Sequence, residues 1–277
     1  MALTRANFER DLIFDVGACH GDDSAYYLHK GYRVVAVEPQ ARLAAQLRER
    51  FAEAVLDARL MVVEAAIAAS EGAADFWVCE DVPGWSSFDV EIAGYRESRH
   101  HRATVRTVTL ASLLERFGVP FYLKIDIEGS DGLCLDQLSP AAVPPFVSVE
   151  LPTIGRLPPE SEVERMMARL EQLGYRRFKV ISQVTYRPMP LWLAHLKARI
   201  PERISERVTM SDAWLRKIQC DDDWRFGAEA SGPFGDASPG VWLDGVTARK
   251  LIAAIQRNRD YSDWFDIHAA LGPEAIC

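Results

Sequence analysis

The chain has no surplus of basic residues and no long apolar segment. Its 40 aspartates and glutamates outnumber its 32 lysines and arginines, which leaves a net charge of −8. We therefore expect no nucleic-acid partner, because phosphate binding requires a basic surface. No apolar run reaches the roughly 20 residues of a membrane-spanning helix, and the first residues lack the pattern of a secretion signal. A membrane partner is not expected either.

Cysteine is also scarce. Five cysteines are spread over the 277 residues, an odd number without the CxxC spacing of many zinc sites. This distribution argues against a disulfide framework and a structural zinc, and favours free thiols in a reducing compartment. The sequence therefore predicts a cytoplasmic location and no bound structural metal. It leaves the oligomeric state open, with a homodimer as one option.

Short apolar segments alternate with helical patterns through the first two thirds of the chain. Such alternation is typical of a parallel sheet covered by helices on both faces, the α/β class. Two further β-rich segments, 74–78 and 104–108, are expected to pair at an edge. Ligands bind such sheets at the carboxyl ends of the strands. The predicted strands are 12–16, 33–38, 60–63, 121–127, 146–151 and 177–182.

The first predicted strand runs into a glycine turn, Asp15-Val16-Gly17-Ala18-Cys19-His20-Gly21. Glycine has no Cβ and accepts positive φ, so such a turn lets the backbone approach a bulky ligand. The second predicted strand ends at Glu38, whose carboxylate can accept both hydroxyls of a ribose. Together these features predict a site for an adenosine-type cofactor.

The GxGxxG motif of dinucleotide sites is missing. Asp15 stands two residues before the first glycine, where a carboxylate would repel a pyrophosphate. S-adenosylmethionine fits better, because it carries a cationic amine and a sulfonium and has no phosphate. Small residues after the third strand would then admit the adenine. The predicted cofactor contacts are Asp15, Gly17, Ala18, Gly21, Glu38, Pro39, Glu64, Ala65, Ala66 and Asp126.

A second motif spans the end of the fourth predicted strand and reads Lys124-Ile125-Asp126-Ile127-Glu128-Gly129. The fifth predicted strand ends with Val149-Glu150. With the segments 15–18, 37–39 and 107–113, these residues resemble the FkbM family of S-adenosylmethionine-dependent methyltransferases. The resemblance covers about residues 10–182. Two departures occur: Ala111 stands where the family usually has Asp, and Cys19-His20 replaces the commoner Asn-x before Gly21.

The resemblance implies a class I methyltransferase fold, Rossmann-like, with a mostly parallel seven-stranded sheet. The seventh strand would be 264–269, antiparallel and inserted between the fifth and the sixth. Residues 1–182 would then form the cofactor-binding core, and residues 261–277 would close it. The tryptophan-rich residues 183–260 would cap the carboxyl edge of the sheet as a lid and substrate wall. Alternatively, their tryptophans form the core of an appended subdomain or a dimer contact.

The implied reaction is transfer of a methyl group to a hydroxyl of a small molecule or sugar. Asp126 is the predicted base, Glu128 orients the loop or contacts the acceptor, and Lys124 lies where it can pair with Asp126. A magnesium-assisted reaction on Asp126, Glu128 and Asp131 stays an alternative, although the resemblance implies no metal. His100, His101 and His268 are further candidate bases. The candidate substrate contacts are Ser86, Ser87, Glu150, Phe234 and His268.

Two other functions are also compatible with the sequence. One is a nicotinamide-dependent oxidoreductase, against which the missing GxGxxG counts. The other is a nucleotide-binding protein of the same fold that has lost catalysis.

Overall fold

A computed structural model describes residues 8–151, 160–192, 194, 220–227, 229–256 and 264–273. The strands in chain order are β1 (Glu9–Val16), β2 (Arg33–Val37), β3 (Leu60–Val63), β4 (Ala66–Ile67), β5 (Gly72–Cys79), β6 (His100–Val108), β7 (Pro120–Ile125), β8 (Phe146–Glu150), β9 (Arg177–Ser182), β10 (Cys220–Asp221), β11 (Trp224–Arg225) and β12 (Phe265–Ala270). The helices are α1 (Asp22–His29), α2 (Ala41–Arg50), α3 (Ala52–Leu56), α4 (Val90–Ala93), α5 (Leu110–Phe117), α6 (Asp131–Gln137), α7 (Glu160–Gln172) and α8 (Gly245–Gln256).

The central sheet has seven strands in the order β3-β2-β1-β7-β8-β12-β9. Strand β12 runs antiparallel to both of its neighbours, β8 and β9, while the pairs formed by β1, β2, β3, β7 and β8 are parallel. The predicted seventh strand and its place in the sheet are therefore confirmed. Strand order reverses between β1 and β7, which opens a crevice at their carboxyl ends.

Helices cover both faces of this sheet, as predicted. Side chains alternate along β1, so Leu12 and Phe14 pack on one side with residues of α5, α6, α7 and α8. Ile13 points to the other side and packs with residues of α1, α2 and α3. Because the parallel strands are buried on both faces, they are almost continuously apolar in sequence.

A small second sheet lies beside the main one, in the order β4-β6-β5. Strands β5 and β6 pair antiparallel along their length, so the predicted pairing of 74–78 with 104–108 is confirmed. The pair does not extend the central sheet, because β6 takes β4 as its other neighbour. A single 3-10 turn at Pro83–Trp85 follows β5 and reaches over the carboxyl edge of the main sheet.

The described parts of the tryptophan-rich segment pack mainly against the faces of the core. Phe234 is buried and stacks on Tyr122, with ring centroids 4.5 Å apart. Helix α8 lies on α7, where Arg249 binds Glu164 and Glu171. Gln183, Val184, Glu229 and Ala230 do reach the carboxyl edge. The prediction that 183–260 form a lid stays a prediction, because residues 195–219 lie outside the described residues.

The tryptophans of the last third of the chain differ in their surroundings. Trp224 lies 4.8 Å from the ring of His29 on α1, and Trp242 lies 6.2 Å from Phe146, so both belong to the packed body. Trp264 faces the cavity at the carboxyl edge. Trp192 is 64% exposed, and Trp214 lies outside the described residues.

Cys19, Cys79 and Cys134 are free thiols, as predicted for those three. Across the described residues, no helix is both long enough and apolar enough to cross a bilayer.

Candidate active site

A cavity of about 510 Å³ opens at the carboxyl edge, where the strand order reverses. The glycine turn after β1 forms its floor, the end of β2 forms one wall and the loop after β7 forms the other. The 3-10 turn at Pro83–Trp85 lies over it. The predicted site residues that line the cavity are Gly17, Ala18, Gly21, Glu38, Pro39, Ala65, Ala66, Ser86, Lys124, Asp126, Glu128 and Glu150.

The glycine turn is fixed by close backbone packing. Gly17 has a φ of 88°, and a Cβ built on it would lie 1.8 Å from the carbonyl oxygen of Asp126. Its N–H donates to the carbonyl of Val37 at 3.0 Å. Gly21 has a φ of 80° and is packed against Leu47 and Phe51 of the α2–α3 region. These contacts bring the ends of β1, β2 and β7 together around one space.

Glu38 is the buried carboxylate at the tip of β2. It is 3% exposed and accepts hydrogen bonds from the backbone N–H groups of Cys19, at 3.0 Å, and Gln40, at 2.9 Å. Burial raises its pKa to about 7, because desolvation outweighs these two hydrogen bonds. One backbone donor on each carboxylate oxygen leaves lone pairs free to accept the hydroxyls of a ribose.

Two predicted cofactor contacts lie outside the cavity. Glu64 is turned to solvent, with its side chain 42% exposed, and forms an ion pair with Arg48 at 2.9 Å. It borders a separate surface cleft beside β6 and does not line the main cavity. Asp15 is fully buried beneath the turn, where it accepts a hydrogen bond from Ser24 Oγ at 2.6 Å. Asp126, rather than Asp15, presents a carboxylate to the cavity.

A buried ion cluster supports the floor of the cavity. The ammonium of Lys124 lies 3.1 Å from Asp126, 3.2 Å from Asp23 and 3.6 Å from Asp15. The predicted contact between Lys124 and Asp126 is therefore present. Burial lowers the pKa of Lys124, but the three carboxylates outweigh this effect and hold it well above its usual range. Lys124 is thus a fixed positive charge that positions Asp126.

The loop after β7 carries the motif that dominates the sequence. Strand β7 ends at Ile125, two residues earlier than predicted, so Asp126 lies on this loop together with Glu128 and not on the strand. Asp131 accepts hydrogen bonds from the N–H groups of Ile127 and Gly129, both at 3.2 Å, which shapes the turn and returns Glu128 to the cavity. Asp131 is therefore occupied with the backbone. The predicted magnesium set of Asp126, Glu128 and Asp131 is not the set that the fold brings together.

Glu150, at the end of β8, completes a group of three carboxylates with Asp126 and Glu128. One oxygen from each lies within 4.8 Å of the others. Burial raises the pKa of Glu128 well above its usual range, and the charges of Asp126 and Asp131 raise it further. Burial raises the pKa of Glu150 as well, with Glu128 the nearest contributing charge.

Only some of the candidate substrate residues line the cavity. Ser86 faces the cavity, whereas Ser87 holds the loop by donating to the carbonyl of Glu128 at 2.7 Å. Phe234 belongs to the aromatic core and His268 to the middle of β12, so neither contacts the cavity. His100 and His101 lie exposed on β6.

His268 is unsuited to be a base for a second reason. Burial lowers its pKa to about 3, so the ring holds a proton too weakly to act as an effective base at neutral pH. It lies on the antiparallel β12, opposite Ser148 of β8 and Lys179 of β9, and is covered by packed side chains.

Several lining residues were not predicted from the sequence. Asp22 and Asp23 follow Gly21. Acidic residues directly after a glycine turn are typical of the first turn of a helix, so the sequence does indicate that they lie at the start of α1. Trp85 lies in a Pro-Gly turn, and Trp264 directly precedes the last strand. Gln40, Gln183, Val184 and Glu229 carry no signal in the sequence, because only the folded chain brings them to this edge.

The sheet order and the glycine-turn cavity at its reversal point define a Rossmann-like class I methyltransferase fold. The family model described as Methyltransferase FkbM domain matches residues 15–177, more than half of the chain. The chain therefore belongs to the FkbM family of S-adenosylmethionine-dependent methyltransferases, and S-adenosylmethionine is the cofactor that this family implies. Membership favours methyl transfer over the nicotinamide alternative.

Solved structures give weaker likenesses. A methyltransferase FkbM from Methylobacillus flagellatus KT is 19% identical, with a TM-score of 0.35 over 51% of this chain and 33% of that one. This chain thus spans about a third of that protein's length. A precorrin-6Y C5,15-methyltransferase from Geobacter metallireducens GS-15 is 11% identical, with a TM-score of 0.37 over 98% and 84% of the two chains.

A phosphoethanolamine N-methyltransferase 2 from Haemonchus contortus, solved with S-adenosylhomocysteine, is 13% identical. Its TM-score is 0.35 over 96% of this chain and 50% of that one. The search of curated proteins found no significant match.

Proposed function

We propose that this protein transfers the methyl group of S-adenosylmethionine to a hydroxyl of a small molecule or sugar. One observation carries the proposal: Glu38 and Asp126 face the same cavity from opposite sides of the Gly17 turn. The first is suited to hold the cofactor and the second to accept a proton from the acceptor.

The cofactor side is the wall between β1 and β3. Glu38 would accept the ribose hydroxyls, while Pro39, Ala65 and Ala66 leave room for the adenine ring. Because Gly17 has no Cβ, the turn can pack directly against the loop after β7. Bound S-adenosylmethionine supplies the methyl group and leaves as S-adenosylhomocysteine.

The acceptor side is the wall formed by the loop after β7 and by the residues over the cavity. Asp126 is the proposed base: it would accept the hydroxyl proton as the new oxygen–carbon bond forms. Lys124 holds the Asp126 carboxylate at 3.1 Å, so it acts as a positioning residue. Trp85 and Trp264 offer flat apolar faces of the kind that stack on sugar rings.

The proposal is tested with purified full-length protein, S-adenosylmethionine carrying a labelled methyl group and a panel of sugars and hydroxylated small molecules. We expect a labelled methyl ether. In Asp126→Asn, we expect kcat to fall by roughly 10² to 10⁴ while S-adenosylhomocysteine binds almost unchanged by calorimetry. Asp136→Asn, an exposed change on α6, serves as the control.

Three results would each contradict one part of the proposal. The absence of S-adenosylhomocysteine binding would remove the cofactor assignment. Methylation of an amine or a carboxyl group alone would remove the hydroxyl assignment, and an unchanged kcat in Asp126→Asn would remove the base.

A further inference from the structure

We propose that Asp126, Glu128 and Glu150 form a binding site for a divalent metal cation, magnesium or manganese. They come from the ends of two adjacent strands, β7 and β8, and one oxygen of each lies within 4.8 Å of the others. The proposal concerns cation binding and does not depend on the identity of the methyl acceptor.

The spacing suits a single ion. Magnesium binds oxygen at about 2.1 Å and calcium at about 2.4 Å, so oxygens that share one ion lie roughly 3 to 4 Å apart. A group that already lies within 4.8 Å reaches this spacing through small side-chain rotations. All three ligand atoms are carboxylate oxygens, which hard divalent cations prefer.

Glu150 provides an independent observation. Its side chain is 4% exposed and faces the cavity, yet it forms no hydrogen bond or ion pair with any described residue. Its partner across the sheet is Asp266, which carries the same charge. A buried carboxylate without a donor or a counter-ion is costly, so a ligand that binds it would be strongly favoured.

Other buried carboxylates differ from Glu150 in this respect. Their partners are Ser24 and Lys124 for Asp15, Ser231 and Lys124 for Asp23, backbone N–H groups for Glu38 and Asp131, and Gln183 for Asp266. Among the buried carboxylates of the described residues, the missing partner is therefore specific to Glu150 at the end of β8.

The cationic side chains of the described residues do not fill this need. Lys124 is already shared among Asp15, Asp23 and Asp126. No lysine or arginine of the described segments forms an ion pair with Glu128 or Glu150. When ionised, the group of three thus carries more negative charge than the nearby side chains of the described residues compensate. Its open side faces the cavity, where water or acceptor oxygens can complete a coordination shell.

The backbone around the group is already held in place. Ser87 donates to the Glu128 carbonyl at 2.7 Å, and Asp131 binds two N–H groups of the same loop. Glu150 stands on a strand paired on both sides. A pre-positioned ligand set loses little conformational freedom when the cation binds, which favours affinity.

The test is a titration of the metal-free full-length protein with Mn²⁺ alone, followed by electron paramagnetic resonance, without S-adenosylmethionine or acceptor. We expect one saturable site per chain, with competition by Mg²⁺. In Glu150→Gln, we expect the affinity to fall roughly tenfold or more. Glu115→Gln removes an exposed carboxylate on α5 and should leave the titration unchanged.

Three controls keep the result decisive. Circular dichroism confirms that each variant is folded, and Glu128→Gln on the surface loop replaces Glu150→Gln if the latter does not fold. S-adenosylhomocysteine calorimetry on the same samples separates failure of the cation site from failure of the proposed function. The absence of saturable binding at millimolar Mn²⁺, or binding that survives both glutamine variants unchanged, would overturn the proposal.

Discussion

At the scale of single residues, Gly17 shows how a turn can be fixed by two separate demands. Its positive φ is unfavourable for any residue with a side chain, and its Cβ position is occupied by the Asp126 carbonyl 1.8 Å away. The second constraint is the stronger one, because the blocking atom belongs to the backbone and cannot move without displacing the whole loop after β7.

Gly17→Ala is therefore expected to destabilise the protein by about 3 kcal/mol or more, through backbone strain combined with a clash. Gly31→Ala is a matched control: it has the same φ of 88°, and a Cβ there meets nothing within 4 Å. It should cost only about 1 kcal/mol. Urea unfolding measures both, and equal costs for the two variants would contradict the role given to the Asp126 carbonyl.

Glu38 makes stability depend on pH. Its pKa is raised from 4.5 to about 7, mainly by burial. Between these two values the folded protein keeps a proton that the unfolded chain has lost, so stability falls as the pH rises through this window. The loss attributable to Glu38 is up to about 3 kcal/mol. Above about pH 7 the carboxyl is ionised in both states and its contribution no longer changes.

Denaturant unfolding of the wild type and Glu38→Gln across the window tests this expectation. Asp23, Asp131 and Asp266 have pKa values raised in the same sense and keep their slope in both proteins, so the difference between the two curves isolates Glu38. We expect the variant's stability to fall less steeply with pH. Parallel curves would show that Glu38 is not protonated in the folded state.

At the scale of elements, the aromatic residues of the chain serve two different purposes. Phe234 is 7% exposed, stacks on Tyr122 and meets Tyr27 edge-on at 5.3 Å, so it anchors the segment before α8 to the sheet. Trp85 is half-buried over the cavity and packs edge-on against Tyr95 at 5.2 Å. The first is placed for packing and the second for contact with a ligand.

Truncating each ring should separate these purposes. Phe234→Ala is expected to cost about 4 kcal/mol of stability, because it leaves a cavity in a packed core. Trp85→Ala should cost about 1 kcal/mol or less but raise the acceptor KM. Thermal unfolding and steady-state kinetics distinguish the two. A stable Phe234→Ala with a raised acceptor KM would restore Phe234 as a substrate contact.

The same elements show what could be predicted from the sequence. Strand ends are visible in sequence, because apolar runs stop there, and this was enough to bring Glu38, Asp126 and Glu150 to one edge. The direction of each side chain at the end of a strand is not visible. Glu64 turns to Arg48, and Asp15 turns to Ser24 beneath the floor, because local partners decide these rotations.

Residues after the last predicted strand of the core were harder to place. Phe234 and His268 were expected at the active site because aromatic rings and histidines are common there. The fold puts Phe234 in the aromatic core and His268 in the middle of β12. The family resemblance predicts the place of this strand in the sheet, but a pattern of residue types does not reveal which distant side chains pack around each residue. The sequence also predicts that the strand of β7 extends to residue 127, because the alternation of apolar and acidic residues continues past Ile125.

At the scale of the whole molecule, the cavity is assembled from segments that lie far apart in the chain. Gly17 follows β1, Glu38 follows β2 and Asp126 follows β7. Trp264 directly precedes β12. Binding a ligand there links these segments, so it should stabilise the folded protein as a unit. Stabilisation by a ligand that binds only the folded state is about 2.7 kcal/mol when the free ligand is at 100 times its Kd.

S-adenosylhomocysteine is therefore expected to raise the Tm by roughly 5 to 10 °C at saturation, whereas NADH should not raise it. The shift should shrink in Glu38→Gln, which loses the charge proposed to hold the ribose. It should persist in Glu64→Gln, whose side chain lies in a separate cleft. Differential scanning calorimetry measures all four combinations. A shift with NADH and none with S-adenosylhomocysteine would move the chain to the dinucleotide-binding alternative, and a shift lost in Glu64→Gln would return that carboxylate to the adenine side of the cavity.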